Sequence, residues 1–228
     1  MSYRKEYFKN ELEWLGARRI GGSSAAAVVG LNPWMSKQEL WELLVGKATP
    51  KPSKKSEVLE YGHNAEPIIR KLFALDNPSL HVVPPTKYSM YIDIERPYMT
   101  ATVDGITIDK KTNKKGILEI KTHDVRKAGD MDEWNGNTLP KQYIIQVLHY
   151  LLVIDDAEYA DFAVKIRFFS YDGSESKISK SEVRYYHIER EDVKAELDWL
   201  EANETAFYET YVLPRVRPPM PTKINTKF

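Results

Sequence analysis

Residues 99–122 read MTATVDGITIDKKTNKKGILEIKT, and the organisation of the chain follows from how their side chains alternate. Two short β-branched and aliphatic runs, 99–103 and 106–108, flank Asp104-Gly105. A lysine-rich turn at 110–115 then leads to a third run, 116–121. Short alternating runs bounded by turn residues are the pattern of strands in a hairpin-like unit. Side chains two apart on a strand share a face, so Glu119 and Lys121 point one way and Ile120 the other, toward a core. Asp104 and Glu119 sit among Ile106, Ile108, Ile117, Leu118 and Ile120, where an unpaired charge is costly. Two carboxylates plus the Ile120 backbone carbonyl form the hard oxygen set that suits Mg²⁺ or Mn²⁺. An ammonium at Lys121 can place a water or stabilise charge building on a phosphate. Phosphodiester hydrolysis needs such an assembly. Taken alone, Asp followed later by Glu-x-Lys is a weak signal in a lysine-rich chain, and alternating charges fit a solvated sheet face as well.

Outward from this segment the period changes. Residues 21–30 (GGSSAAAVVG) predict a short helix capped by Ser23 or Ser24 and ended by Gly30. A second helix starts at Ser36, with Glu39 completing a capping box, Leu40, Leu43 and Leu44 as its apolar face and Gly46 as its stop. Residues 47–56, rich in Lys, Pro and Ser, read as a loop. A third helix is predicted over 64–75 with Ile68, Ile69, Leu72 and Phe73 as its stripe. Strands are expected at 81–83 and 87–94. After Pro140, which suits a first turn, a helix buries Ile144, Ile145, Val147, Leu148, Leu151 and Leu152. Strands at 160–170 and 182–188 and an acidic amphipathic helix at 191–211 follow. Pro214, Pro218, Pro219 and Pro221 keep a tail from about 214 extended. The order α-α-α-β-β-β-α-β-β-α predicts an α/β (α+β) fold, one mixed sheet flanked by helices, in a single domain over 1–228.

The 228 residues carry 33 Lys plus Arg and 33 Asp plus Glu, a formal net charge of zero. That zero is an average. The segment 47–55 carries Lys47, Lys51, Lys54 and Lys55 with no acid, residues 110–115 hold four lysines, and Arg215, Arg217, Lys223 and Lys227 are unopposed, while 189–204 is acidic. Segregated charge permits a polyanion-binding face on a neutral chain; it equally fits lysine-rich turns that are merely solvated. The absence of cysteine excludes disulfides, thiolate zinc sites and thiol nucleophiles. With 7 Phe, 5 Trp and 14 Tyr the chain does not have the composition of a disordered one. The opening MSYRKEYFKNELEW lacks the apolar region of a secretory signal, and residues 143–154 are too short and too interrupted to span a bilayer. An intracellular chain without a membrane is expected. No GxxxxGK[ST] or GxGxxG motif supports an ATP-driven motor or a dinucleotide-dependent dehydrogenase.

Four separated stretches then agree with one family: IGGSSAAAVVGLNPW (20–34), YGHNAEPIIRKLF (61–73), TVDG (102–105) with LEIKT (118–122), and QYIIQVLHY (142–150). In order and context they resemble the lambda-exonuclease/YqaJ-like viral recombinase family, a branch of the PD-(D/E)xK nucleases, from Trp14 to Tyr150. The resemblance implies that Asp104, Glu119 and Glu66 bind one or two Mg²⁺ (or Mn²⁺) ions together with the Ile120 carbonyl, that Lys121 is the catalytic lysine, and that Gln146 orients it or the water. Read without the family, Glu66 is a first-turn glutamate favoured by the helix dipole, and Gln146 a satisfied polar core residue. The resemblance further assigns a 5′-phosphate grip to Ser23 and Ser24 with Arg18 or Arg19, and backbone contacts to Thr102, Arg126 and Lys127. Exposed surface residue is the alternative for these last three.

The function this implies is Mg²⁺-dependent 5′→3′ digestion of linear double-stranded DNA, leaving 3′ single strands for recombination in a bacterial host, from a phage or prophage gene. Relatives form a homotrimeric ring and work with a single-strand annealing protein. A structure- or site-selective endonuclease and a non-catalytic DNA-binding module of the same fold are the alternatives. His149, one turn from Gln146, fits either the site or the core; Trp34, Trp41 and Trp134 fit base stacking or packing.

Overall fold

The computed structural model describes residues 2–49, 56–134, 136, 138–172 and 175–219. Of the residues singled out above, Lys51, Lys54, Lys55, Pro221, Lys223 and Lys227 lie outside that set. Strands β1 (Tyr3–Tyr7), β2 (Ile20–Gly21), β4 (Ser89–Asp93) and β5 (Met99–Ala101) form a four-stranded sheet in the order β1-β4-β5-β2. Strands β3 (Leu80–Val83), β6 (Gly105–Asp109), β7 (Lys115–Val125), β8 (Ala157–Asp172) and β9 (Glu175–Glu189) form a five-stranded sheet in the order β3-β6-β7-β8-β9. Both are mixed: β2 runs parallel to β5, and β7 parallel to β8, while the other pairs are antiparallel. Two sheets therefore replace the single one expected. Only Thr102, Val103 and Asp104 separate β5 in one sheet from β6 in the other.

The helices are α1 (Glu11–Ala17), α2 (Gly22–Val28), α3 (Lys37–Leu44), α4 (Glu57–Asp76), α5 (Lys141–Val153) and α6 (Lys194–Phe207). Strand β7 sends Leu118 and Ile120 to one face, where they meet Ala65, Ile69 and Phe73 of α4. Ile117 points to the other face, into the large core with Val147, Leu148 and Leu151 of α5, Ala25 to Val28 of α2 and Leu200 of α6. Period-two alternation on one strand thus divides the molecule into an α4 layer and an α5 layer. Among the described residues no helix is long and apolar enough to cross a membrane.

Several expectations are corrected. Strand β1, helix α1 and strand β2 precede the first helix predicted; α1 buries none of its residues and so shows no apolar stripe. Ser23 and Ser24 lie inside α2 rather than capping it: Gly21 is the N-cap, and the Ser24 hydroxyl accepts from its N–H at 3.0 Å. Helix α4 begins seven residues earlier than read, with Ser56 accepting from the Leu59 N–H, and runs through Pro67. Its buried stripe is Ala65, Ile69 and Phe73; Ile68 is 68% exposed and Leu72 also faces solvent. The helix touches β7 along one narrow ridge rather than a broad face. The capping box of Ser36 with Glu39 is as read, and Gly30 and Gly46 end their helices at φ 74° and 73°.

His149 belongs to the core. Its Nδ1 lies 2.9 and 3.0 Å from the two Glu204 carboxylate oxygens and its Nε2 3.0 Å from the Thr100 carbonyl, with both side chains fully buried. Since every partner only accepts, the ring donates from both nitrogens as an imidazolium. Burial pushes the His149 pKa down, but the Glu204 charge and the hydrogen bonds outweigh it, and the value ends above the usual one. A raised histidine pKa stabilises fully below the unfolded value, about 6.5, and that stability is lost as pH rises through the folded value. Replacing His149 with Phe strands Glu204 without a cation and is expected to cost on the order of 3 kcal/mol in urea unfolding at pH 6. The difference from the unmutated chain should shrink at alkaline pH; an equal loss at every pH would refute the charged pair.

Candidate active site

The register that pairs Gly105 with Leu118 sets Asp104 opposite Glu119, across the seam between the sheets. The Ile120 N–H donates to the Asp104 carboxylate at 2.7 Å, which holds it against β7. On the neighbouring position of β7, Glu119 is 2% exposed. Its Oε1 accepts from the Lys121 ammonium at 2.5 Å and from the Gln146 amide at 2.6 Å. The same amide reaches the Tyr150 hydroxyl at 2.8 Å. Glu119 Oε2 is buried with no hydrogen-bond partner. The Lys121 ammonium also lies 4.8 Å from the centre of the Tyr143 ring.

Helix α4 contributes Glu66, whose carboxylate pairs with Arg70 one turn later. The Arg70 Nε–H donates in turn to the Asp104 carbonyl at 2.6 Å, so one guanidinium ties the helix to the inter-sheet link. Glu66, Asp104, Glu119, Ile120, Lys121 and Gln146 all line one cavity of about 1010 Å³. Arg18, Ser23 and Thr102 line it too. Arg18 is an exposed residue whose guanidinium lies 4.4 Å from the centre of the Trp14 ring, and partial desolvation there lowers its pKa. Four sequence candidates are not brought to this cavity. The Arg19 guanidinium donates to the Gly16 and Arg18 carbonyls and lines a separate cavity; Ser24 is committed to the Gly21 capping box. Arg126 pairs with Asp124 at 3.1 Å, and the Lys127 N–H donates to Asp130.

The approach of α2 to α5 depends on Gly22. A Cβ there would stand 2.3 Å from Tyr150 Cε1 and 2.9 Å from Gln146 Cγ, so only a residue without a side chain admits both neighbours. Arg70, Tyr143, Tyr150 and Gly22 are site residues that sequence reasoning passed over. The Glu66-to-Arg70 spacing of four on a helix was a readable signal for the first. Tyr150 stands at the same spacing from Gln146 on α5, whereas Tyr143 and Gly22 meet their partners only in space.

The electrostatics mark the acids as strained. Burial raises the Asp104 pKa well above the usual carboxylate range, and the facing Glu119 charge raises it further. Burial likewise raises Glu119, against the pull of Lys121. Burial opposes the charge of Lys121 too, but Glu119 and Asp104 overcome it and its pKa is raised. Among the described residues no three His, Asp or Glu side chains are arranged to hold one ion. The donor set is two carboxylates, one oxygen of which is orphaned, beside the Ile120 main chain. This fits a hard divalent cation that keeps water or substrate oxygens in its remaining positions. Without a divalent cation, Asp104→Asn should stabilise the protein by about 1 kcal/mol at pH 8, read by urea unfolding in chelator. Raised carboxylate pKa values penalise folding only where the groups ionise. The advantage should therefore vanish as pH falls below the unfolded carboxylate range, and a destabilised variant at pH 8 would contradict the crowding.

Comparison with known proteins identifies the family. Residues 13–160 match the YqaJ-like viral recombinase domain. A protein of Bacillus subtilis (strain 168) described as uncharacterized protein YqaJ is 35% identical over 158 residues, 68% of this chain but 46% of that protein. The chain thus spans about half the length of that relative. Among solved structures, LHK-Exo in complex with dAMP superposes with a TM-score of 0.62 at 18% identity, covering 90% of this chain and 93% of that one. A second crystal structure of that alkaline exonuclease, from Laribacter hongkongensis, gives 0.56 at 17% identity, covering 89% and 96%. A phage-related exonuclease from Haemophilus somnus 129PT gives 0.52 at 14%, covering 86% and 96%. The fold is a mixed α+β one shared with these exonucleases, and the chain belongs to the YqaJ-like viral recombinase domain family.

Proposed function

We propose that the protein is a Mg²⁺-dependent exonuclease that digests the 5′-ended strand of linear double-stranded DNA and leaves a 3′ single strand. The observation that carries this reading is the convergence of Asp104, Glu119, Lys121 and Gln146 in one cavity with Arg18 and Ser23, in a chain of this family. A superposable protein crystallised with a deoxynucleoside monophosphate is consistent with release of mononucleotides.

Asp104, Glu119 and the Ile120 carbonyl would hold the cation, with Glu66 completing its shell once released from Arg70. When bound, a divalent ion supplies Lewis acidity that neutralises charge on the phosphate under attack. Lys121 faces the same space and offers a proton donor and a positive charge to the phosphate oxygens. Gln146, braced by the Tyr150 hydroxyl, keeps Glu119 and Lys121 in one geometry. Arg18 and the Ser23 hydroxyl receive the terminal 5′-phosphate; a guanidinium and a hydroxyl on the wall of one cavity suit a dianion. The family background supports a homotrimeric ring, a single-strand annealing partner and a cytoplasmic setting in a bacterial host, as parts of the same proposal.

Linear duplexes labelled at either end should be degraded in Mg²⁺ or Mn²⁺ from the 5′ side only, and not in chelator. Lys121→Ala should lower the rate by roughly 10²–10³-fold while leaving DNA binding in place. Cutting of a covalently closed circle would favour an endonuclease, and binding without cleavage by the unmutated chain would favour a non-catalytic module. Arg18→Ala should raise KM for 5′-phosphorylated ends by roughly 10–100-fold, the worth of a charge-assisted hydrogen bond, and should leave 5′-hydroxyl ends unaffected. Equal effects on both ends would remove Arg18 from the phosphate site.

A further inference from the structure

One large aromatic side chain at the cavity stands mostly in solvent. Trp34 is 69% exposed, whereas Trp41 and Trp134 are buried. Its exposure is not slackness of the chain. Asn32 Oδ1 accepts from the N–H groups of Trp34 at 2.8 Å and Met35 at 3.0 Å, and Asn32 Nδ2 donates to the Ser23 carbonyl at 2.8 Å. Immediately after Met35, Ser36 caps α3. The backbone on both sides of Trp34 is pinned to α2 and α3 while the indole stands in solvent. That indole lines the same cavity as Asp104, Glu119 and Lys121. Its centre is 6.2 Å from the Tyr143 ring, and Tyr143 in turn lies 4.8 Å from the Lys121 ammonium.

A tryptophan left in water forfeits the burial that its counterparts gain, and a flat apolar face beside a cluster built for charged phosphate suits a ligand with both parts. Nucleotides have both. Stacking on an aromatic ring tolerates any base, because every base has a π-face. We propose that Trp34 is the stacking platform for one unpaired nucleobase of the strand held in the cavity, at or next to the nucleotide whose phosphate faces Asp104, Glu119 and Lys121. This rests on the nuclease reading and deepens it by assigning a base contact outside the charged cluster. The Asn32 bridge to Ser23 fixes this platform relative to the phosphate grip.

The test couples the residue to the base. In a Lys121→Ala background with Mg²⁺, so that the strand is not consumed, binding of short 5′-phosphorylated strands is measured with an intact base or an abasic sugar at each of the first three positions. The chain with Trp34 should lose about tenfold in affinity when one particular base is removed, the size of a single stacking contact. Trp34→Phe should keep most of that sensitivity, and Trp34→Ala should bind weakly and alike with or without the base. If the Trp34→Ala chain still discriminates against the abasic strand, or the chain with Trp34 is indifferent at all three positions, the platform is overturned even where the unmutated protein digests DNA. If the coupling is present but the unmutated protein digests no linear duplex, the nuclease reading fails and the base contact stands.

Discussion

A single main-chain hydrogen bond, from the Ile120 N–H to the Asp104 carboxylate, joins the short link between the sheets to the central strand of one of them. Hydrophobic packing around Leu118 and Ile120 on one side and Ile117 on the other sets β7 in place, and Asp104 is then held where its own chemistry resists being. The penalty is visible in the raised carboxylate pKa values on both sides of the seam. Foldable sequences agree with their structures at most positions and break the rule at sites with work to do. Here the most crowded departure is at one cavity wall; behind it the layers of α4 and α5 are mostly apolar, with the buried His149–Glu204 pair as the charged exception.

Much of this arrangement was legible because it is local. Alternation in 99–122 gave the strands, and the two-residue spacing placed Glu119 with Lys121. The capping box at Ser36 fixed α3, and the dense apolar face after Pro140 fixed α5. What escaped depends on partners distant in the chain. Strand β1 (YRKEY) has no aliphatic residue to announce it and exists because Tyr3 to Tyr7 pair with Asp93 to Ser89. The division into two sheets is likewise a matter of long-range pairing. Pro67 concealed the first turns of α4, since its missing N–H looks like a beginning rather than an interior position.

The candidate site divides the same way. Asp104, Glu119, Lys121 and Gln146 could be named from motif and spacing, and their side chains meet in the structure. Arg70 and Tyr150 went unnamed although their spacing of four from Glu66 and Gln146 was readable, and Tyr143 went unnamed because nothing in its spacing shows that it flanks Lys121. Ser24 looked equivalent to its neighbour Ser23, yet the rotation of about 100° between successive helix positions puts Ser23 at the cavity and turns the Ser24 hydroxyl back to Gly21.

The bare backbone at position 22 carries a consequence for how the two halves of the cavity keep their distance. The closest approach of the Ser23 side to the Gln146 side is limited by hard-core contact of a helix with a tyrosine ring. Contacts of that kind are indifferent to ionic strength and to proton concentration. The molecule therefore carries a built-in caliper: whatever the buffer does to the acids and bases around it, the gap they span keeps the same gauge.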